Sequence, residues 1–145
     1  MTCVKDPCTV MENIYINHAA VAVCALSSLV VGGIWYSPLL FSKSWQKETG
    51  LSDEQLGKAN RLKIFGITLL LAYIMSYNLA FFLGDAKTDS HWGMMVGFHA
   101  GFGVAALSMA VIGLFELRSI KYMLINGGYI TVWFTLIGFI LGVWR

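Results

Sequence analysis

Four long apolar runs divide the chain, and none of them contains Asp, Glu, Lys or Arg. They cover residues 14–36, 64–83, 92–115 and 123–144. At about 1.5 Å of rise per helical residue, about 20 residues cross a hydrocarbon layer of about 30 Å. Because apolar residues are continuous in each run instead of alternating with polar ones, the runs predict helices and not barrel strands. The predicted fold class is therefore all-α, a polytopic membrane protein with four transmembrane helices in residues 13–145, preceded by a polar N-terminal tail in residues 1–12.

The charged residues lie between the runs. The first run ends at Ser37-Pro38, since proline disfavours helical geometry in the residue before it. The amphipathic connection that follows contains Ser52-Asp53-Glu54-Gln55, a pattern typical of a capped helix N-terminus. The first and third connections together carry seven of the ten Lys and Arg residues. The positive-inside rule therefore predicts that both termini lie on the non-cytoplasmic side of the membrane.

The composition agrees with this class of protein. The chain is 57% hydrophobic and 12% charged, whereas a soluble domain carries about 25% charged residues. A net charge of +2 gives no reason to expect nucleic acid as a partner. The predicted partner is the lipid bilayer, and the sequence does not indicate which membrane.

Cys3 and Cys8 can form a disulfide if the N-terminus meets an oxidising compartment, or remain two free thiols. No signal peptide is predicted, because Lys5 alone supplies positive charge before the first run.

The first and third runs resemble each other. When His18 is set on His99, eight of the sixteen positions from His18 to Gly33 are identical. Apolar segments also match by chance, but the gapless alignment favours a duplication. A duplication predicts two helical hairpins in the same orientation, related by a pseudo-twofold axis along the membrane normal.

Small residues recur every four positions in each predicted span, which keeps them on one helix face and lets helix backbones approach closely. The third span has the fullest set, a glycine zipper of Gly93, Gly97, Gly101 and Ala105. Two interpretations are open for the third span: oligomerisation through the zipper, or packing within one four-helix bundle. For the other three spans we favour packing within the bundle. Their packing residues include Gly32 in the first span and Gly138 and Gly142 in the fourth.

Five asparagine and histidine side chains lie within or at the ends of the apolar runs. Such groups are costly in hydrocarbon and usually face a protein interior or a cavity. A histidine there can hydrogen-bond across helices, carry a proton, or ligate a metal or a tetrapyrrole. Two histidines without Cys, Asp or Glu at matching depth make a poor metal site, so the structural hydrogen bond is favoured. The five are Asn17, His18, Asn78, His99 and Asn126.

The sequence contains no nucleophile–base pair, phosphate-binding loop, CxxC motif or acidic pair. It therefore predicts no enzyme, no catalytic residue, no cofactor and no resident metal. The favoured function is a non-enzymatic assembly module, either a homo-oligomer or an accessory subunit of a membrane complex. The alternative is a small transporter or channel whose pathway is lined by His18, His99, Asn78 and Asn126. The third hypothesis is pigment or haem binding through His99, beside which small residues leave room for a flat ring.

The end of the first run carries a motif, G-x-W-Y-S-P-x-x-F-x-K-x-W. With it, the chain resembles the family known as domain of unknown function 1761, small integral membrane proteins. The expected glycine before the lysine is Ser42 here, which affects only the local turn. A second resemblance lies in the last span, through Glu116, Arg118, Asn126, Gly127 and Tyr129. The resemblance implies four membrane helices and no established activity. The motif residues are Gly33, Trp35, Tyr36, Ser37, Pro38, Phe41, Lys43 and Trp45.

Overall fold

The computed structural model describes residues 15–85 and 88–144. Cys3, Cys8 and the tail boundary at residues 12–13 lie outside the described residues. Every regular element in the described part is helical, and four helices are long and apolar enough to cross a membrane, which confirms the predicted fold class. The elements are α1 (His18–Trp35), α2 (Ser42–Thr49), α3 (Asp53–Lys58), α4 (Arg61–Phe82), α5 (Ser90–Phe98), a π-helical segment (His99–Ala106), α6 (Leu107–Phe115) and α7 (Ile120–Val143).

Spans one, two and four are α1, α4 and α7, and span three is the continuous helix formed by α5, the π-helical segment and α6. Spans two and four begin three residues before the predicted apolar runs, because their caps lie in the polar connections. Each span starts with a side chain that accepts a hydrogen bond from a backbone N–H of the first turn, which satisfies a group the helix leaves unpaired. These caps are Asn17, Asn60, Asp89 and Ser119. The predicted capping box between Ser52 and Gln55 at the start of α3 is confirmed.

The helices pack in the spatial order two, one, four, three. Span four packs against span three along its length and against span one, which in turn packs against span two. The apolar core lies where spans one, two and four meet, and its largest fully buried side chains are Trp133, Ile137 and Val21. Span three is attached to this core through span four, so most of its remaining surface is exposed.

The two ends of the molecule hold different connections. At one end, the Tyr15 N–H donates to the Gly84 carbonyl oxygen at 3.4 Å, which brings the start of span one beside the second connection. At the other end, the Ser119 hydroxyl donates to the Glu48 carboxylate, which joins the two basic connections. The alternation of sides therefore follows the predicted topology, and the orientation relative to the cytoplasm stays a prediction.

The contacts between the two hairpins are unequal. Span one packs against span four, but spans two and three share no comparable interface in the described part of the chain. A twofold axis that exchanged the two hairpins would place the contact of span one with span four onto a contact of span three with span two. The two contacts would then have to be alike. The duplication suggested by the alignment of His18 with His99 stays a prediction, and the packing around the two histidines differs.

The end of α6 contains the one non-glycine residue with positive φ in the described chain, Leu117 at φ 55°. It lets the Arg118 N–H reach the Gly113 carbonyl oxygen at 2.8 Å, which closes the helix end. A left-handed conformation costs an L-residue about 1 to 2 kcal/mol, and glycine is free of this cost.

We expect Leu117→Gly to raise the free energy of unfolding in detergent by about 1 kcal/mol, measured by SDS titration. Leu39→Gly is the matched control, because both leucines are more than nine-tenths exposed in connections and only Leu117 has positive φ. An equal gain in both variants would contradict the assignment of strain to Leu117.

Candidate functional site

Hydrogen bonds join span one to span four within the membrane-spanning part of the fold. The Tyr129 hydroxyl donates to the Ser28 carbonyl oxygen at 3.1 Å. The Trp133 indole N–H lies 3.2 Å from the Ser27 hydroxyl and 3.4 Å from the Cys24 carbonyl oxygen. We call this interface the α1–α7 seam; it comprises Cys24, Ser27, Ser28, Trp35, Tyr36, Ile125, Asn126, Tyr129 and Trp133.

The family motif forms one end of the α1–α7 seam. The Trp35 indole N–H donates to the Ile125 carbonyl oxygen at 2.9 Å. Its ring covers Gly128, where an added Cβ would lie 2.9 Å from Trp35 Cζ2. A side chain at position 128 would therefore require this ring to shift, while Gly32 only makes ordinary contact with the Tyr129 ring.

Tyr36 and Asn126 form the next polar contact. The Tyr36 hydroxyl donates to Asn126 Oδ1 at 2.7 Å, and Asn126 Nδ2 donates to the Tyr122 carbonyl oxygen at 2.9 Å. The Tyr36 ring also meets the ring of Trp45, with centroids 5.6 Å apart. Both motif segments of the family resemblance thus contact each other, and Asn126 is one of the residues that join them.

The rest of the motif positions α2. The Trp35 and Phe41 ring centroids lie 4.9 Å apart, so the turn after span one is held against the membrane helices. The Ser37 carbonyl oxygen accepts from the backbone N–H groups of Leu40 and Ser42, which shapes the turn, and the Pro38 ring is exposed. Lys43 is exposed and takes no part in this packing.

Three glycines of span three, Gly93, Gly97 and Gly101, face span four. A Cβ added to Gly93 would lie 2.2 Å from the Gly138 carbonyl oxygen, and one added to Gly97 would lie 2.3 Å from the Phe134 carbonyl oxygen. Gly101 meets Phe134 in the same way, and Gly142 meets the backbone of Asp89. This face is therefore covered inside the chain, as the within-bundle interpretation expects, and it is not open to a second copy.

The fourth predicted zipper residue is wrong by one position. Ala106, not Ala105, is buried in this interface, where it lies against Gly127. The step from Gly101 to Ala106 is five residues because the π-helical segment lies between them, and a π-helix pairs residues five apart. The regular spacing of four holds only up to Gly101.

The other polar candidates have local roles at the surface of spans one and two. The Asn17 side chain caps α1 by accepting from the N–H groups of Ala19 and Ala20. His18 is exposed and stacks on the Tyr77 ring, with centroids 5.9 Å apart. Asn78 is also exposed, and its amide donates to the carbonyl oxygen of its own helix at Ile74, at 2.9 Å.

His99 begins the π-helical segment and lies on the exposed surface of span three. Its Nδ1 is 2.8 Å from the Met95 carbonyl oxygen. Because a carbonyl oxygen only accepts, Nδ1 carries the hydrogen, and Nε2 of the neutral ring is then an acceptor. Gly103 follows on the same side, and an added Cβ there would meet nothing within 4 Å.

The structure does not bring the proposed pathway residues together. Asn126 bonds to Tyr36, which lies 18 residues after His18, or about 27 Å along α1. His99 belongs to span three, which is separated from His18 by span four. Two apolar grooves between spans three and four, of about 310 and 480 Å³, are lined by none of His18, His99, Asn78 and Asn126. Within residues 15–85 and 88–144, no three His, Cys, Asp or Glu side chains lie close enough to hold a metal.

The sequence reasoning did not single out Trp133, which lies in the middle of the α1–α7 seam. Trp133 is 1% exposed, and Cys24 and Ser28 are buried beside the same interface. The available signal was the position of this tryptophan, because tryptophans of membrane helices concentrate at the interfaces and this one lies in the middle of a span.

These features define a class, the four-span integral membrane proteins, here with a tightly packed glycine contact between the last two spans and a polar contact between the first and last. Residues 19–142 match the sequence profile of the family described as "Protein of unknown function (DUF1761)", so the chain belongs to this family, as its motifs indicated. No curated protein and no solved structure shows a significant match.

Proposed function

We propose that the protein is a non-enzymatic module that acts by assembly in the membrane, as a homo-oligomer that contacts its partner through span three. The contact surface is the outward side of that helix, which we call the His99 face (Met95, His99 and Gly103). The observation that carries the proposal is the exposed His99 imidazole inside a membrane span.

The depth of His99 makes its exposure costly. It lies nine residues after the start of α5 at Ser90, or about 13 Å along the helix, which is within the hydrocarbon layer. Ionisable groups at such depth face a protein or a water-filled cavity, and lipid offers no donor to Nε2. A donor on a neighbouring helix satisfies it, and interhelical hydrogen bonds of this kind contribute about 0.6 to 2 kcal/mol.

The shape of the His99 face also favours a second helix. Gly103 leaves its surface open, so another backbone can approach closely, as small residues allow in membrane helix pairs. Among the described helices, span four is the one with an extensive contact to span three, and 17% of the apolar stretch of span three is buried, the lowest share among the four spans. π-helical segments are also frequent at functional sites, and this one begins at His99.

The non-enzymatic part of the proposal is supported by what the polar side chains do. Tyr36, Asn126, Tyr129 and Trp133 are all engaged in the α1–α7 seam, where their hydrogen bonds hold two helices together. Asn17 is used as a helix cap. These side chains have structural roles, which account for their presence without a catalytic role.

The test is the oligomeric mass of the protein reconstituted in lipid nanodiscs, compared with His99→Leu and Gly103→Leu. We expect the wild type to form a dimer or larger oligomer and each variant to weaken association about tenfold, equivalent to about 1.4 kcal/mol. Gly66→Leu is the matched control, because a Cβ at Gly66 also meets nothing within 4 Å, but Gly66 lies on span two. Gly66→Leu should associate like the wild type.

A monomeric wild type would overturn the homo-oligomer. If that monomer is isolated from native membranes with a stoichiometric second subunit, and His99→Leu releases it, the protein is the accessory subunit of a complex instead. An effect of Gly66→Leu equal to that of Gly103→Leu would show that the His99 face has no special part in association.

Pigment or haem binding is the second candidate, and the same imidazole favours it. Histidines that ligate a metal usually donate their other ring N–H to a carbonyl or carboxylate oxygen, as His99 Nδ1 does to Met95. Visible absorbance of protein purified from its native membrane, lost in His99→Leu, is the expected result for this candidate. Colourless wild-type protein would remove it.

A further inference from the structure

A basic cleft lies on α2, in the first connection. It has a volume of about 390 Å³ and is lined by Lys43, Gln46, Lys47, Gly50 and Leu51. Lys43 and Lys47 are four residues apart, which places both ammonium groups on the same side of the helix. The helix is followed by Gly50, whose φ of 71° turns the chain so that Leu51 also lines the cleft.

The cleft retains positive charge. Among the described basic residues, Lys58 is paired with Glu54 and Arg118 with Glu116, but neither Lys43 nor Lys47 forms an ion pair. The nearby Asp53 carboxylate accepts a hydrogen bond from Gln46 Nε2 at 2.7 Å. The neighbouring Glu48 carboxylate accepts one from Ser119.

Neither Asp53 nor Glu48 forms an ion pair with Lys43 or Lys47. An anion that entered would meet two ammonium groups that form no ion pair with a described carboxylate.

The packing of α2 sets the cleft at the membrane surface. Trp45 on the other side of the helix meets the Tyr36 ring at the end of span one, and Phe41 meets the Trp35 ring. Aromatic residues prefer the headgroup level, so this side of α2 faces the bilayer boundary. Lys43 and Lys47 are exposed on the side that remains. Since α2 lies against these interfacial aromatic residues, we expect both lysines near the lipid phosphates.

We propose that the cleft between Lys43 and Lys47 binds the phosphate headgroup of an anionic membrane lipid. The two ammonium groups neutralise the phosphate, and the α2 helix, fixed by its aromatic contacts, holds them at headgroup depth. The site is separate from the His99 face and does not depend on the proposed assembly. A soluble phosphate offers the same charge but not the position in the bilayer, which is why a lipid is the occupant.

The test is a titration of the purified protein with phosphatidylglycerol, read as bound lipid by native mass spectrometry. An exposed lysine near an anionic bilayer contributes a factor of about five, so Lys43→Gln with Lys47→Gln is expected to weaken binding roughly 10- to 30-fold. Lys58→Gln with Lys63→Gln removes the same charge from the end of the same connection and the first turn of α4, outside the cleft. This control should bind within about twofold of the wild type, and phosphatidylcholine should bind equally to all three proteins.

Two results would overturn the proposal. Equal weakening in the control pair would show that phosphatidylglycerol responds to the total charge of the connection and not to the cleft. Competition by millimolar inorganic phosphate in the wild type would assign the cleft to a soluble anion. Far-UV circular dichroism should be unchanged in both pairs, since the described contacts of these exposed lysines are limited to the surface ion pair of Lys58.

Discussion

Replacing Gly138 with alanine is expected to lower the free energy of unfolding by about 3 kcal/mol. The new Cβ would lie 2.1 Å from the Gly93 carbonyl oxygen and 3.1 Å from the Gly97 Cα. Both obstacles are backbone atoms, which cannot turn away as a flexible side chain can, so span three must move. Overpacking of this kind costs about 1 to 3 kcal/mol, and the rigid obstacle places Gly138 at the upper end.

The measurement is an SDS titration from detergent micelles followed by far-UV circular dichroism. Gly66→Ala is the control, because its Cβ meets nothing and alanine is the better helix former by about 1 kcal/mol. It should be at least as stable as the wild type. Gly93→Ala is expected to match Gly138→Ala, and the double variant should cost less than the sum, since one displacement of span three relieves both clashes. Wild-type stability of Gly138→Ala would refute the close backbone contact.

The four spans and the existence of a glycine face were predictable from the sequence. Length and continuous apolar character identify a membrane helix, and a spacing of four keeps Gly93, Gly97 and Gly101 on one side. The partner of that face was not predictable, because spacing describes one helix and the choice between span four and a second copy depends on the whole packing. In the described chain, Gly138 of span four covers this face.

The π-helical segment shows a second limit of the sequence. Nothing in His99–Ala106 contradicts an ordinary α-helix, since it contains no proline and its glycines are common in membrane spans. The extra residue per turn moves the buried position from Ala105 to Ala106. A periodicity argument assumes a constant number of residues per turn, so it fails where the turn widens.

The two histidines show a third limit. The alignment of span one with span three gives His18 and His99 equivalent positions, but span one has neighbours on two sides and span three on one. His18 therefore stacks on Tyr77 of span two, whereas His99 bonds only within its own helix among the described contacts and presents Nε2 outward. Similar sequences acquire different roles when their neighbours differ.

Replacing Trp133 with alanine is expected to cost about 4 kcal/mol of unfolding free energy. Trp133 is the largest fully buried side chain, and removing a buried tryptophan costs about 3 to 5 kcal/mol through lost contacts and the cavity left behind. Its indole N–H also joins span four to Ser27 and Cys24 of span one. Far-UV circular dichroism during SDS titration is the suitable measurement, because it does not rely on the fluorescence of the residue removed.

Trp133→Phe separates the two contributions of this side chain. Phenylalanine keeps an aromatic ring in the core but has no N–H, and a membrane hydrogen bond contributes about 0.6 to 2 kcal/mol. Trp92→Ala is the control, since Trp92 is 57% exposed and its loss should cost less than about 1 kcal/mol. If Trp133→Phe and Trp133→Ala lower the free energy of unfolding equally, the indole hydrogen bonds to span one stabilise the α1–α7 seam. If only Trp133→Ala lowers the free energy of unfolding, packing of the ring stabilises the α1–α7 seam. The polar contacts then serve to select which faces of spans one and four meet.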